Sequence, residues 1–478
     1  MSLKFHRILS AKLSRLVLAV ALVSLPGCMV GPSYQRPETA AQLPANFKVP
    51  DGWKIAEPSD GISKGAWWKA FREPRLNGLI SQAMANNQSL KAAYFRVEQA
   101  RTVSRLGQAG LLPDISFDPS VERSRRSGTT NSNNFGNPGK TRNNISLPFV
   151  LNYEIDLWGR LRRQLQAAEA EAGASEADFH NVMLALQSDL AVNYFNLAAA
   201  DRELMILREG LALRKKSLDL NQQRFDAGDI DEVDVSRAST EVSATESEIL
   251  AVQRTRAEYE NAIAVLIGVP SSNFRLPPVS TPGSLPSLPA ILPSSLLERR
   301  PDIAAAERTM QAANARIGVA EAAFFPSVRL NGNVGFESSR LNQLFKGDSL
   351  AWGLGPGVSF PIFEGGRNEA EFARSKLRYQ ETVADYRQSI LNAVREVDDA
   401  LSGVTLLARQ SDAQDRTVTA ANRTVELSQQ RYDAGIVAYF DVVEAQRTAL
   451  EAKRNASRIQ NTQALASIAL MKALGGSW

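Results

Sequence analysis

The hydrophobic and polar positions of this chain switch between two periods. From about residue 159 to 225, and again from about 367 to 432, helix-forming residues run on with almost no breakers. At 1.5 Å per residue, each run makes a helix on the order of 100 Å long. Small and polar residues (Ala, Ser, Asn, Gln) fill many of the seam positions, and broad Leu/Ile stripes are sparse. Such helices pack closely in a coiled-coil-like stack but bury too little to fold alone. Gly173, Gly210 and Gly403 are expected to loosen or bend them. Shorter helices are expected near Leu76 to Leu111 and Leu296 to Phe325, each ending before a proline.

Between the helices the period drops to two. Ile145, Leu147, Phe149, Leu151, Tyr153 and Ile155 alternate with a mostly polar set: Ser146, Pro148, Val150, Asn152, Glu154 and Asp156. Trp352, Leu354, Pro356, Val358, Phe360 and Ile362 alternate with Gly353, Gly355, Gly357 and Ser359. Ile115, Phe117, Pro119 and Val121 begin a similar set, as do Val328, Leu330, Val334 and Phe336. Runs of this length, with aromatics near their ends, suit tilted strands crossing a membrane. Alternation also occurs in half-buried sheets of soluble proteins, but there a helix covers the apolar face. No amphipathic helix is left over for that task here.

The chain repeats itself. "QQRFDAG" at Gln222 returns as "QQRYDAG" at Gln429, and the same shift of 207 carries Gly159-Arg160 onto Gly366-Arg367 and Asp234-Val235 onto Asp441-Val442. Two homologous halves follow, 64–268 and 294–478, joined by a proline-rich connector at 269–293. Each half supplies two candidate membrane strands.

In lipid, an open sheet edge leaves backbone amides and carbonyls without partners, at several kcal/mol each. Four strands are too few to close a barrel, for which about eight is the minimum. Copies of the chain must therefore share one barrel, and the count alone permits two, three or more. A ring of copies also lets the long helices cover one another around a hollow axis.

The N-terminus and charge balance add a compartment. Lys4, Arg7, Lys12 and Arg15 precede the short apolar run "LVLAVALVSL", a secretory signal at 1–27. The run ends in "LPGC", which resembles the lipobox of bacterial lipoproteins, with Cys28 as the acylated residue and 28–63 an extended segment behind it. Removing those four cations takes Lys plus Arg from 55 to 51, equal to the 51 Asp plus Glu. A near-neutral mature chain gives nucleic acid no electrostatic attraction. Cys28 is the lone cysteine and His180 the lone mature histidine. A histidine/cysteine metal site or a Cys/His catalytic pair is therefore not expected, nor is a cofactor or enzymatic activity.

"CMVGPSYQRP" at the anchor, "WWKAFREPRLNGLISQAMANNQSL" from Trp67, "LPSSLLERRPDIAAAE" from Leu292 and the terminal "ALGGSW" resemble the TolC-like outer-membrane factors of tripartite efflux pumps, in the lipoprotein branch that works with RND-type transporters. The resemblance spans essentially the whole mature chain. It implies a mainly α-helical protein with a transmembrane β-barrel, assembled as a homotrimer with twelve shared strands and a periplasmic α-barrel. It also implies a place in the outer membrane, lipid-anchored through Cys28, with a periplasmic adaptor and an inner-membrane RND-type transporter as partners. The function implied is passive export of drugs or other small molecules. Type I protein secretion and metal efflux are alternatives, and a lipid-anchored structural coiled coil is a remote one. The seven methionines are scattered rather than clustered, which favours small amphiphiles over metal.

The repeated phrase then marks two helical hairpin tips, where Gly228 and Gly435 take the left-handed conformation that ends a helix. Gly228, Asp229, Gly435 and Ile436 are the candidate adaptor-facing residues. The tips differ beyond the turn: Phe440, Asp441 and Glu444 stand where the first tip has Val233, Asp234 and Arg237. The resemblance places an apolar ring at Phe440 and an acidic ring at Glu444, forming a periplasmic gate that an Arg237–Glu444 contact between neighbouring tips would hold shut.

Overall fold

The computed structural model describes residues 29–36, 65–125, 127, 141–279 and 300–476. The signal segment, Cys28, most of the 28–63 segment and most of the connector lie outside them. Among the described residues, seven α-helices are formed: α1 (Pro74–Asn86), α2 (Gln88–Ala109), α3 (Arg160–Asp226), α4 (Glu232–Leu266), α5 (Pro301–Ala322), α6 (Arg367–Asp433) and α7 (Tyr439–Ala473). Five strands accompany them: β1 (Asp114–Phe117), β2 (Ser120–Arg125), β3 (Thr141–Ile155), β4 (Ser327–Ser338) and β5 (Leu350–Ser359). α3 and α6 are each 67 residues long. Gly173 and Gly210 do not interrupt α3, and each admits a close neighbour instead. A Cβ on Gly173 would stand 3.1 Å from Arg308 Cδ, and one on Gly210 3.4 Å from Leu450 Cδ1. Gly403 leaves α6 unbroken.

The helix expected from Leu76 to Leu111 is two helices. Asn87 leaves the helical region at φ −59°, ψ 126°. Its Oδ1 then accepts from the Leu90 amide at 2.9 Å, capping α2, and its Nδ2 donates to the Leu266 carbonyl at 2.9 Å. An Asn side chain that satisfies orphan amides at a helix start makes the break favourable.

The chain forms two compact units, each drawing on both halves of the repeat. One comprises Met1–Pro37, Glu98–Ala174 and Glu307–Ala384 and contains all five strands. They make one antiparallel sheet in the order β1-β3-β4-β5, with β2 also on β3, beyond β1. The other unit comprises Glu38–Val97, Ser175–Ala306 and Asp385–Trp478. Its main core gathers Trp67, Phe71, Leu76 and Ile80 against Leu190, Tyr194 and Phe195 of α3, Ile263 of α4 and Met471 of α7. Phe71 and Phe195 lie 5.0 Å apart, and the Trp67 indole donates to Gln187 Oε1 at 3.1 Å. Elsewhere burial is mostly alanine: Ala167, Ala170, Ala174 and Ala177 on α3, and Ala304, Ala312 and Ala315 on α5. That agrees with the sparse, small-residue seams of the sequence.

Candidate functional site

The strand register separates the sheet into two chemically opposite faces. Residues directly opposite in an antiparallel ladder share a face. Phe149 stands opposite Phe117 and Val334, Leu151 opposite Ile115 and Gly332, and Ile155 opposite Val328. On β5, Trp352, Leu354, Pro356 and Val358 stand opposite Val334, Gly332, Leu330 and Val328. Apolar residues of all four rows therefore share one face, and several are well exposed: Trp352 is 75% and Val358 68% accessible. The other face carries Ser116, Asn152, Asn331, Asn333, Glu154 and Arg329, with Gly353, Gly355 and Gly357 opposite the last strand's neighbours. Phe360 and Ile362, expected to extend β5, fall just past its end, where Pro361 lacks an amide to donate. The first row is interrupted at Asp118-Pro119, yet Ile115, Phe117 and Val121 keep one parity because β1 and β2 pair with the same strand.

The apolar band runs from Ile145 to Ile155 on β3. Ten residue steps of about 3.3 Å, tilted about 40°, span roughly 25 Å, the height of a barrel's lipid-facing band. β1/β2 and β5 are the edges of this sheet, and among the described residues neither outer edge has a partner strand.

The segment at residues 29–36 is fixed just below that band. The Val30 amide donates to the Trp158 carbonyl at 3.0 Å. Arg163 donates to the carbonyls of Val30 (3.1 Å) and Gly31 (2.8 Å), and Asn314 to that of Pro32 (3.1 Å). Gly31 is at φ +93°, and a Cβ there would meet Gly318 Cα at 2.4 Å, so only glycine fits. Met29 lies against Gly159, where an added Cβ would come within 2.5 Å of its side chain.

In the other unit, the two hairpin turns have one geometry. Gly228 (φ +83°) and Gly435 (φ +73°) are left-handed. The Asp229 amide reaches back to the Arg224 carbonyl at 2.8 Å, and the Ile436 amide to that of Arg431 at 2.9 Å. Both are Schellman turns, and all four predicted tip residues are exposed. Beneath them Tyr432, Tyr439, Val442, Val443 and Ala238 form a small core. Tyr432 donates to Asn221 Oδ1 at 3.1 Å, and burial raises both tyrosines above their ordinary pKa.

Comparison with known proteins agrees with the fold. The profile of a family described as outer membrane efflux protein matches residues 79–269 and 292–476. The chain belongs to the outer membrane efflux protein family. It is 33% identical to the cation efflux system protein CusC of Escherichia coli K12 over 458 residues, covering 95% of this chain and 97% of that one. It is 34% identical to the toluene efflux pump outer membrane protein TtgI of Pseudomonas putida over 467 residues, covering 96% and 97%. The Campylobacter jejuni CmeC outer membrane channel has the same fold, with a TM-score of 0.84 at 27% identity over 94% of this chain and 95% of that one. This efflux protein resides in the outer membrane, with a large periplasmic portion.

Within one copy of the efflux protein, the predicted gate residues fall into two groups. Phe440 and Glu444 share the exposed face of α7, opposite the buried Tyr439, Val442 and Val443. Asp441 is exposed in the first turn of the same helix. Arg237 is 5.6 Å from the centre of the Phe440 ring and 3.5 Å from Asp234. Glu444 is bonded to Arg447 at 3.0 Å. The Arg237–Glu444 contact foreseen between neighbouring tips has no counterpart within the chain, because each residue has a nearer partner.

The sequence reading missed the group behind Phe440 and Glu444. Glu241 of α4 is 6% exposed and accepts from Arg447 Nε at 2.9 Å and from Arg214 of α3 at 3.1 Å. Its hydrogen bond raises the Arg447 pKa. Glu444 is thus tied through Arg447 to the first hairpin. The i,i+3 pair Glu444–Arg447 was legible in sequence, but the Glu241 connection spans 206 residues and no spacing announces it. A groove of about 450 Å³ lies between the hairpins, lined by Val233, Arg237, Glu241, Phe440 and Arg447.

Proposed function

We propose that this protein is the outer-membrane conduit of a tripartite efflux pump. Three copies join edge to edge into one twelve-strand barrel, continued by a periplasmic α-barrel. The observation that carries the reading is the sheet: a predominantly apolar face that crosses all four rows, a mostly polar face behind it, and two edges without partner strands among the described residues. A bilayer penalises unpaired backbone heavily, so β5 of one copy is expected to pair with β1/β2 of the next. The polar face then lines the lumen.

In this reading the hairpin tips meet a periplasmic adaptor through Gly228, Asp229, Gly435 and Ile436, and an inner-membrane RND-type transporter supplies the energy. Phe440 and Glu444 form the gate, with Asp441 beside them. Cys28 carries the acyl anchor. Support for the anchor comes from Met29, which packs on Gly159, four residues past the last apolar position of β3. An acyl chain on the preceding residue would enter the inner leaflet beside the barrel. The cargo is small molecules, in keeping with relatives named for toluene, solvent and antibiotic efflux.

Planar-bilayer recording of the purified, lipid-modified protein tests the reading. Discrete conductance from a species of three chains is expected, and a folded monomer without conductance would overturn it.

A further inference from the structure

At the upper end of the apolar band, the sheet keeps its carboxylates and Arg142 on the lumenal face and places two arginines on the other. Arg123 stands opposite Asn143 and Arg125 opposite Thr141, in register with Val121–Ile145, the last apolar pair of the row. Both arginines therefore project to the lipid side, and both are exposed. The strand carboxylates at this height take the opposite parity. Glu122 stands opposite Asn144 and Glu337 opposite Ser146, on the lumenal face, where Asn144 Nδ2 donates to Glu337 Oε1 at 2.9 Å.

The opposite rim behaves differently. There Arg160 pairs with Glu154 at 2.9 Å, Arg162 with Asp156 at 3.2 Å, and Arg329 approaches Glu154 at 3.8 Å. At the outer rim, neither Arg123 nor Arg125 forms an ion pair among the described residues. The apolar surface also continues upward on that side, since Phe345 of the β4–β5 turn packs against Phe336 with ring centres 5.6 Å apart.

Their height is that of lipid headgroups. Two and four residues beyond the band, at about 3.3 Å each and tilted about 40°, put the two Cα atoms roughly 5 and 10 Å above the hydrocarbon edge. A headgroup layer is about 5–8 Å deep on each side of the core. The Arg123 guanidinium lies within that layer and that of Arg125, on its long stem, reaches back down into it, where both can engage phosphate oxygens bidentately.

We propose that Arg123 and Arg125 form a binding site on the outer rim for the phosphates of outer-leaflet lipid, of the phosphorylated glycolipid type. The site fixes the height of the barrel in the membrane, and the glycolipid becomes part of the stability of the assembled channel. The inference rests on the outer-membrane reading, so the same samples are checked for conductance, which the site does not affect.

The test uses the full-length protein in mild detergent, measuring thermal dissociation with three additives: diphosphoryl lipid A, the same lipid with its phosphates removed, and inorganic phosphate. Diphosphoryl lipid A is expected to raise the transition by several degrees, and the other two are not. In R123Q/R125Q the lipid needed for half the effect rises about thirtyfold, whereas R142Q, on the lumenal parity opposite Ser124, behaves as the parent. Equal protection by the dephosphorylated lipid, full protection by inorganic phosphate, or an unchanged lipid response in R123Q/R125Q would each overturn the proposal. Should R123Q/R125Q fail to fold, R123Q and R125Q singly decide it, each expected to raise the lipid needed about fivefold, and an unchanged response in both would overturn the proposal.

Discussion

Val334 and Asn333 are neighbours in β4 with opposite surroundings, and an arginine at each gives the sharpest test of the sheet. Val334 stands between Phe149 and Trp352 on the apolar face and is 49% exposed. Asn333 stands between Val150 and Gly353 on the polar face. Phe149 is four residues from one end of the Ile145–Ile155 band and six from the other, so Val334 lies near the bilayer midplane. Arginine on the lipid face at that depth costs about 2–4 kcal/mol per chain. Three distant copies of one site add to roughly 6–12 kcal/mol, comparable with the whole stability of a typical fold. At Asn333 the guanidinium enters the aqueous lumen and the cost is near zero. V334R is therefore expected to be lost from outer-membrane fractions as heat-dissociable folded protein. N333R should assemble at parental yield with altered conductance. Equal yields of the two variants, or selective loss of N333R, would refute the assignment of faces.

At the tips, F440A/E444A should raise single-channel conductance without changing the oligomer, and unchanged conductance argues against the gate. E241A leaves Arg214 buried without its carboxylate, at about 3–5 kcal/mol. Hydrogen exchange should quicken in α3, α4 and α7 around that point, whereas the core near Trp67 stays protected. Tyr194 donates to Glu73 Oε2 at 2.8 Å inside the main core, so Y194F should cost about 1–3 kcal/mol in urea titrations, without affecting conductance. Burial, and then the bond to Glu73, raise the Tyr194 pKa well above its ordinary 10.0. The neutral phenol therefore contributes stability below about pH 10 that is lost as pH climbs above it, through the folded-state pKa. Y194F should show a shallower alkaline decline than the parent, and identical slopes would count against a buried Tyr194.

The two long helices, the four alternating segments and the repeated glycine turns were all legible in the sequence. Each is a property of a short window: a period of 3.6 or 2, or a residue that alone tolerates positive φ. The break at Asn87 was not, because nothing in the run of helix formers shows that its side chain will bond both the Leu90 amide and the Leu266 carbonyl. The strands could be found but not ordered, and only the ladder shows that one apolar face runs unbroken across both halves of the repeat.

The same division holds at the site. The sequence by itself determined that Phe440 and Glu444 lie on one helix face, since four residues make about one turn. The tertiary structure decided that Arg237 sits over Phe440, and that Glu241 holds Arg447 from 206 residues away. Local periodicity follows from covalent geometry, which every window of the chain carries. The choice of a distant partner follows from how two helices or strands slide into register, and that depends on packing along their whole length.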